Sequence, residues 1–265
     1  MIEKNIKIIF NKRVASNTLI MGLRSPEIAM ESRPGQFVMV RINSGLDPLL
    51  RRPFSICGLP DEDTFCILYR VVGMGTAILS QKEEGQDLSI LGPLGRGFEL
   101  PGADEKALLV GGGIGIAPLL FLAQTMKNRD KEFMAGFSTS GEIIDTGKVD
   151  FLTDNILLAT DDGTRGYAGM VTALLEEYLG QHSDQKDPFS LYTCGPAPML
   201  KRVASIAADY NITCQASMET SMACGLGACQ GCAVKAASPK GHTRYYHVCK
   251  DGPVFMTNAI DWSSI

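Results

Sequence analysis

The sequence lacks the features that would direct a protein to a membrane or to nucleic acid. Its apolar runs, such as Leu119 to Ala123, are far shorter than the ~20 residues of a membrane-spanning helix. The formal net charge is −4, which gives no basic footprint for nucleic acid. Glu3, Lys4 and Lys7 interrupt the apolar residues at the N-terminus, so no signal peptide is predicted either. We therefore expect a cytoplasmic protein with no membrane span and no nucleic-acid partner.

Cysteine is the residue type whose distribution is most informative. The chain has 265 residues, 45% of them hydrophobic, which suits two domains with real cores and a small appendage. Eight cysteines in a cytoplasmic chain need a reason other than disulfides, because that compartment keeps thiols reduced. Cys57, Cys66, Cys194 and Cys214 are scattered, and we expect Cys57, Cys66 and Cys214 to lie in the core. Four others lie close together near the C-terminus: Cys224, Cys229, Cys232 and Cys249.

Two patterns of secondary structure meet near Pro101-Gly102. Before this point, short apolar or alternating runs separated by turn-rich pieces predict a small antiparallel barrel or sandwich. These runs are 5–10, 18–23, 36–42, 64–72 and 87–91. After it, strands alternate with helices, which predicts a parallel sheet covered on both faces. These strands are 106–110, 133–137, 156–159 and 189–193, and the helices are 117–127, 170–179 and 198–210.

The clustered cysteines have the spacing Cys224-x4-Cys229-x2-Cys232, and Cys249 follows after sixteen residues. The first three match the loop of plant-type [2Fe–2S] ferredoxins. Such a loop must wrap two bridged irons with its backbone N–H groups turned toward the sulfur atoms. Glycines within the loop permit the φ angles that wrapping requires. They are Gly225, Gly227 and Gly231.

The fourth ligand and the metal leave alternatives open. Cys249 comes sooner than in plant ferredoxins, and a hairpin of 233–237 and 244–248 is expected to return it to the other three. A structural zinc site is one alternative, but zinc usually takes two Cys-x2-Cys or Cys/His pairs, and one such pair is present. His247 lies near Cys249, yet no second histidine has Rieske-like spacing. Unligated buried thiols are the remaining alternative.

A second candidate site is the stretch Arg51-Arg52-Pro53-Phe54-Ser55, at the expected end of a barrel strand. A guanidinium can grip a pyrophosphate in bidentate fashion, while an aromatic ring and a serine hydroxyl suit a flavin. The segment 69–76 adds Arg70 and a glycine-rich helix start, and helix N-termini bind phosphates. The first stretch alone is equally compatible with a basic turn, but the two stretches together predict a flavin site.

The segment 110–118, Val-Gly-Gly-Gly-Ile-Gly-Ile-Ala-Pro, follows a predicted strand and opens a helix. That context suits a phosphate-binding turn, although Ile116 occupies the third glycine position of the Rossmann fingerprint. Neither an acid nor a base is clearly placed after the next strand, 133–137, and the missing base favours NAD over NADP. A second glycine-bearing turn, Cys194-Gly195-Pro196, lies in the same half.

Together these segments resemble the ferredoxin–NADP reductase superfamily, and within it the electron-transfer subunits of dihydroorotate dehydrogenase B. The matching segments are 51–55, 92–98, 111–118, 192–196, 223–232 and 248–255. The cysteine cluster is the most specific part, because most reductases of the superfamily lack it or carry a ferredoxin domain with different spacing. We expect an α+β multidomain fold with an antiparallel β-barrel flavin domain, an α/β parallel-sheet nicotinamide domain and a small C-terminal [2Fe–2S] module. Their expected bounds are 1–101, 102–213 and 214–265.

The resemblance implies a role for each matched residue. FAD would be contacted by Arg52, Pro53, Phe54 and Ser55, and by Tyr69, Arg70, Val71, Gly75 and Thr76. NAD(H), as exchangeable substrate, would lie against Gly111, Gly112, Gly113, Ile114, Gly115, Cys194, Gly195 and Pro196. The cluster would be held by Cys224, Cys229, Cys232 and Cys249. No residue is predicted to be catalytic, because the cofactors perform the hydride and electron transfer.

The partner implied by the resemblance is an FMN-containing catalytic subunit that oxidises dihydroorotate to orotate in pyrimidine (UMP) biosynthesis. Two copies of each subunit would form a heterotetramer, and electrons would pass from FMN through [2Fe–2S] and FAD to NAD⁺. One alternative is the flavin/iron–sulfur subunit of a ferredoxin-dependent transhydrogenase or a soluble hydrogenase. An alternative of another class is a redox or iron sensor without enzyme activity, against which both dinucleotide signatures argue.

Overall fold

The structure, a computed structural model, describes residues 2–43, 45, 47–145, 156–182, 188–238 and 242–265. The strands of the first half are β1 Ile2–Ala15, β2 Thr18–Arg24, β3 Phe37–Arg41, β4 Arg52–Gly58, β5 Thr64–Arg70 and β6 Asp87–Leu94. They close into an antiparallel barrel in the order β1-β2-β5-β4-β3-β6. The predicted β domain is therefore confirmed, and it is a barrel, an arrangement that leaves no sheet edge open.

Two short helices accompany the barrel, α1 Pro26–Glu31 and α2 Met74–Ser80. Helix α1, which begins after Ser25 and contains six residues, was not predicted from the sequence. The helix start at α2 was predicted correctly. One detail of the sequence analysis was wrong: the stretch 51–55 begins a strand instead of ending one, since Arg52 pairs with Val40 at the first position of β4.

The strands of the second half are β7 Lys106–Gly112, β8 Lys131–Phe137, β9 Leu157–Thr160, β10 Tyr167–Ala168, β11 Phe189–Cys194, β12 Thr213–Ser217, β13 Ala233–Lys235, β14 Tyr245–His247 and β15 Val254–Met256. Seven of them form one sheet in the order β10-β9-β8-β7-β11-β12-β15. Its strand pairs are parallel except β12 with β15, which is antiparallel. The helices are α3 Ile116–Thr125, α4 Val171–Gln181, α5 Ala197–Asp209 and the single turn α6 Val248–Asp251.

Alternating side chains of the central strands explain why helices cover both faces of this sheet. Leu109 on β7 packs in a core with α3, whereas Leu108 and Val110 pack in a core with α4 and α5. This confirms the predicted covered parallel sheet. Helix α3 is buried on every side, because all residues from Ile116 to Ala123 are buried and Phe121 belongs to the barrel core. It is apolar all round because it lies between the sheet and the barrel.

The C-terminal segment contacts both halves of the molecule. The predicted hairpin is present as β13 and β14, and α6 carries Cys249. The core of this segment joins Cys232 and Val248 to Phe37 and Met39 of the barrel. Strand β12 pairs with β11 on one side and with β15 on the other, so it lies inside the main sheet. The domain bounds given above stay a prediction.

Burial agrees with the expectation for the scattered thiols. Cys57, Cys66 and Cys214 are all buried in the core, and all eight cysteines, each in the described part of the chain, are free. Among the described residues, the helices are too short or too polar for one of them to cross a bilayer.

Candidate functional site

The larger of two neighbouring cavities lies between the barrel, α2, the turn before α3 and the end of β12. Its volume is about 580 Å³, within the range of cofactor sites. Eight residues assigned to the flavin line it: Arg52, Pro53, Phe54, Ser55, Tyr69, Arg70, Gly75 and Thr76. The ninth, Val71, does not line it and packs against the barrel core instead. We call this space the flavin cavity.

Two adjacent arginines at the start of β4 have different surroundings. Arg51 donates to the Ser89 carbonyl oxygen at 2.8 Å and to Ser89 Oγ at 3.0 Å, so its guanidinium serves the barrel. Arg52 lines the flavin cavity, where its Nε lies 3.6 Å from a Cβ placed on Gly75. Its Nη1 donates to the Leu50 carbonyl oxygen at 2.7 Å. Because a guanidinium has five N–H donors, Arg52 retains several for an anion in the cavity.

The hydroxyl of Tyr69 is hydrogen-bonded to Asn11, a residue that does not line the flavin cavity. The hydroxyl donates to Asn11 Oδ1 at 2.8 Å, and burial raises the pKa of Tyr69 to about 12. Its ring meets Phe54 edge-on, with 5.8 Å between the ring centroids. Tyr69 therefore contributes a fixed apolar wall, and it sets the orientation of the Phe54 ring beside it.

The opposite wall of the flavin cavity was missed by the sequence analysis. It consists of residues at and after the end of β12: Ser217, Met218, Glu219, Thr220 and Met222. Thr220 Oγ1 is the one buried side-chain polar atom in the described part of the chain that has no hydrogen-bond partner. A hydrogen-bonding ligand would satisfy it, so the cavity fits a polar cofactor such as a flavin. Ligands bind beyond the carboxyl ends of parallel strands, a rule that points to this segment.

Glu219 and Cys194 meet at the inner side of this wall. Cys194 Sγ lies 4.0 Å from Glu219 Oε1. Burial raises the pKa of the Cys194 thiol, and desolvation raises the pKa of Glu219, which faces the flavin cavity. In both groups burial disfavours the charged form. Cys194 itself is fully buried and does not line the second cavity.

The second cavity, about 350 Å³, lies beyond the carboxyl ends of β7 and β8, and we call it the nucleotide cavity. Of the residues assigned to the nucleotide, Gly112, Gly113 and Pro196 line it, whereas Ile114 lines the flavin cavity. The other four assigned residues do not line either cavity: Gly111, Gly115, Cys194 and Gly195. A Cβ on Gly115 would stand 2.6 Å from the Cys194 carbonyl oxygen, so this glycine allows the start of α3 to touch the end of β11.

Four charged residues line the nucleotide cavity: Arg70, Glu142, Asp161 and Arg202. Asp161 follows β9 directly, and its N–H donates to the Phe137 carbonyl oxygen at 3.0 Å. An acid was expected directly after β8, but it comes one strand later, after β9. Arg70 lines both cavities, and Ile114 lies in the turn between them.

The four clustered cysteines come together around one loop. Cys232 Sγ and Cys249 Sγ are 3.2 Å apart, and Cys224 has Cys229 as its thiol neighbour. Backbone N–H groups point at the sulfur atoms: Leu226 N lies 3.3 Å from Cys224 Sγ, and Gly227 N lies 3.0 Å from Cys249 Sγ. Gly227 has a φ of +78°, a conformation that favours glycine.

This arrangement fits a binuclear cluster better than a single metal ion. A single zinc ion would draw four ligands around one point. The thiols form two neighbouring pairs instead, and each iron of a [2Fe–2S] centre takes two thiolates. Burial would raise the pKa of Cys224, but the N–H groups of Cys229 and Leu226 lower it to about 6. Burial raises the pKa of Cys249 to about 12, and a coordinated metal cation would lower it again.

Known proteins with similar sequences carry the same kind of cluster loop. Residues 219–261 match the family model described as the iron–sulfur cluster binding domain of dihydroorotate dehydrogenase B. The chain is 38% identical over 259 residues to the dihydroorotate dehydrogenase B (NAD⁺) electron transfer subunit of Desulforamulus reducens, and the aligned region covers 97% of each chain. It is 39% identical over 254 residues to the protein of that name from Caldanaerobacter subterraneus, and the aligned region covers 96% of each chain.

A solved structure resembles the whole fold. It is a chain of the NADH-dependent reduced ferredoxin–NADP oxidoreductase, studied for flavin-based electron bifurcation. The two chains superpose with a TM-score of 0.79 and 28% identity, over 97% of this chain and 90% of that one. The barrel, the parallel sheet and the C-terminal segment therefore occur together in a known oxidoreductase.

Proposed function

This chain belongs to the family of dihydroorotate dehydrogenase B electron-transfer subunits, and from that premise we propose that it passes electrons from a partner's FMN to NAD⁺. The partner is a catalytic subunit that oxidises dihydroorotate to orotate in pyrimidine biosynthesis, and two copies of each subunit form the complex. The observation that carries the proposal is that the flavin cavity shares a wall with the cysteine loop and another with the nucleotide cavity.

The wall toward the cysteines is short. Met222 lines the flavin cavity, and Cys224 comes two residues later. On β3, Phe37 lines the cavity, and a Cβ on Gly225 of the cysteine loop would lie 2.6 Å from Met39 Cγ. Phe37 and Met39 point the same way from the strand, so packed side chains fill the space between the two sites. Such a wall excludes water and supports electron transfer between them.

FAD, when bound, supplies hydride exchange with the nicotinamide and single-electron exchange with the cluster. The residues proposed to hold FAD contact different parts of the cofactor. Arg52 meets the pyrophosphate, Ser55 and Thr220 hydrogen-bond polar atoms, and Phe54 packs on the ring system. The cluster is held by Cys224, Cys229, Cys232 and Cys249, with their sulfur atoms facing the backbone N–H groups of the loop.

Asp161 supports NAD as the dinucleotide. Its position after β9 places a carboxylate on the wall of the nucleotide cavity. In dinucleotide-binding folds an acid of this kind accepts hydrogen bonds from a ribose hydroxyl, and its charge repels the 2′-phosphate of NADP. We propose that Asp161 has this role here. The eight free thiols also favour the reducing cytoplasm as the place where the chain works.

The test is co-expression with an FMN-containing dihydroorotate dehydrogenase subunit from the same genome. The complex is purified on a tag carried by this chain, its FMN, FAD and iron are counted, and dihydroorotate-dependent NAD⁺ reduction is assayed. A stable complex with this activity supports the proposal. An isolated chain that reduces dyes with NADH but forms no such complex contradicts the assignment of the partner.

The solved structure of the reduced ferredoxin–NADP oxidoreductase favours a second candidate, a subunit of a ferredoxin-dependent transhydrogenase. The same preparation separates the two functions. Reduced ferredoxin and NADP⁺ would support NADH turnover only with the transhydrogenase partner, and dihydroorotate only with the dehydrogenase partner.

A further inference from the structure

Arg70 stands at the boundary between the two cavities. It is the last residue of β5, in the barrel, and it lines both cavities. Its Nη2 lies 3.2 Å from Oε2 of Glu142, a residue of the turn after β8 in the other half of the molecule. A Cβ placed on Gly113 would also lie 3.2 Å from this nitrogen. The guanidinium of a barrel residue therefore reaches the glycine turn that opens α3.

These contacts direct Arg70 toward the nucleotide. Glu142 and Gly113 both line the nucleotide cavity, and neither lines the flavin cavity. The flavin cavity has its own cation, Arg52, whose Nε lies beside Gly75. Arg70 is thus placed to serve the second dinucleotide, although the resemblance drawn from the sequence assigned it to FAD.

The charges around the nucleotide cavity leave few groups for a pyrophosphate. Of the described residues that line it, the cations are Arg70 and Arg202. Arg202, on α5, pairs with Glu176 on α4. Arg70 lies beside the turn that begins α3, a ten-residue helix whose first N–H groups have no partner within the helix. An anion at this turn would meet the guanidinium directly.

We propose that Arg70 binds the pyrophosphate of the nicotinamide dinucleotide and that Glu142 holds its guanidinium in place until the phosphate displaces the carboxylate. The side chains of Arg70 and Glu142 are each 32% exposed. An ion pair open to solvent is weak, whereas a bidentate contact between arginine and phosphate is strong and directional, so the exchange is favourable. The inference rests on the proposed function, because it requires that this cavity takes a dinucleotide.

The test uses the FAD-loaded chain and binding calorimetry with ADP-ribose, which carries the pyrophosphate, and with adenosine, which does not. We expect Arg70→Gln to raise the Kd for ADP-ribose at least about tenfold by removing a charge-assisted hydrogen bond, and to leave adenosine unchanged. We expect Glu142→Gln to lower the Kd for ADP-ribose at least about threefold, because no carboxylate then competes for the guanidinium. In the double variant, most of the Glu142 effect should disappear, since it acts through Arg70.

Several outcomes would overturn the inference without touching the proposed function. In one, ADP-ribose binds Arg70→Gln as tightly as the wild type. In another, Arg202→Gln weakens binding and Arg70→Gln does not, which would place the pyrophosphate at α5. If Arg70→Gln loses FAD, Glu142→Gln decides, because Glu142 does not line the flavin cavity, and an unchanged or raised Kd refutes the exchange. A wild-type chain that retains FAD but binds no ADP-ribose would instead contradict the proposed function.

Discussion

The adjacent arginines at the start of β4 allow a paired test of the flavin cavity. Arg52 lines the cavity, whereas Arg51 hydrogen-bonds Ser89 across the barrel. Removing one charge-assisted hydrogen bond costs about 1.5–3 kcal/mol. If Arg52 makes one such bond to the FAD pyrophosphate, Arg52→Ala raises the Kd for FAD by roughly 10- to 150-fold.

Arg51→Ala should have the opposite profile. It removes two close hydrogen bonds between the residue before β4 and Ser89 of β6, and it lowers the free energy of unfolding by about 1–3 kcal/mol. Because Arg51 does not line the flavin cavity, the folded variant should bind FAD as the wild type does.

Both variants are stripped of flavin, retitrated with FAD while the fluorescence of free FAD is followed, and melted without ligand. The expected result is a weakened Kd with a near-normal melting temperature for Arg52→Ala, and the reverse for Arg51→Ala. Equal loss of FAD affinity in the two variants, at temperatures where both are folded, would refute the assignment of Arg52. It would mean that the flavin phosphates lie elsewhere in the barrel.

Three further predictions concern the cluster and the nucleotide cavity. Cys229→Ser should lose iron and keep FAD, whereas Cys214→Ala, which changes a buried thiol away from the loop, should keep both. Iron and flavin contents are measured in the purified variants, and loss of both cofactors from Cys229→Ser would contradict separate sites. Gly115→Ala places a methyl group 2.6 Å from the Cys194 carbonyl oxygen and should lower the free energy of unfolding, measured by chemical denaturation, by about 1–3 kcal/mol. Gly180→Ala in α4 should not lower it, because there is open space for the methyl group. Asp161→Asn should raise the kcat/KM for NADPH relative to that for NADH about tenfold, because it removes a charge that repels the 2′-phosphate. The matched control is Asp162→Asn, because the Asp162 carboxylate accepts hydrogen bonds from Thr164 and does not line the cavity, so the ratio should not change. A ratio that stays constant in both variants would exclude Asp161 as the selective residue.

Local patterns predicted most of the strands and helices, because burial repeats along a strand or helix in a way that the sequence records. Helix α1 was missed because six residues are too few to show a period. The burial of α3 on every side was also not predicted, since its residues pack into two separate hydrophobic cores. A periodic pattern shows that one face is buried, but it does not reveal a second partner from a distant part of the chain.

The candidate site was predicted unevenly for the same reason. Arg52 and the cysteines stand in dense motifs, and the sequence placed them without knowledge of the fold. Glu219 and Thr220 have no such motif, and they reach the flavin cavity only because β12 ends beside the barrel. Conversely, Gly115 belongs to a conspicuous glycine turn, yet its hydrogen-only side chain serves packing between α3 and β11. Motifs show which chemistry is present, whereas the fold decides which atoms face the ligand.

Helix α3 has a consequence for how this architecture can be recombined. Its residues fill a core that combines side chains of the sheet and the barrel, and Phe121 adds to the second core of the barrel. Gln124 exchanges two hydrogen bonds with Leu59. A barrel excised at the end of β6 would expose the apolar surface that α3 covers, so it would not make a self-sufficient flavin carrier. Any exchange of halves between reductases, in evolution or in the laboratory, must move this helix and its two facing surfaces as one inherited unit.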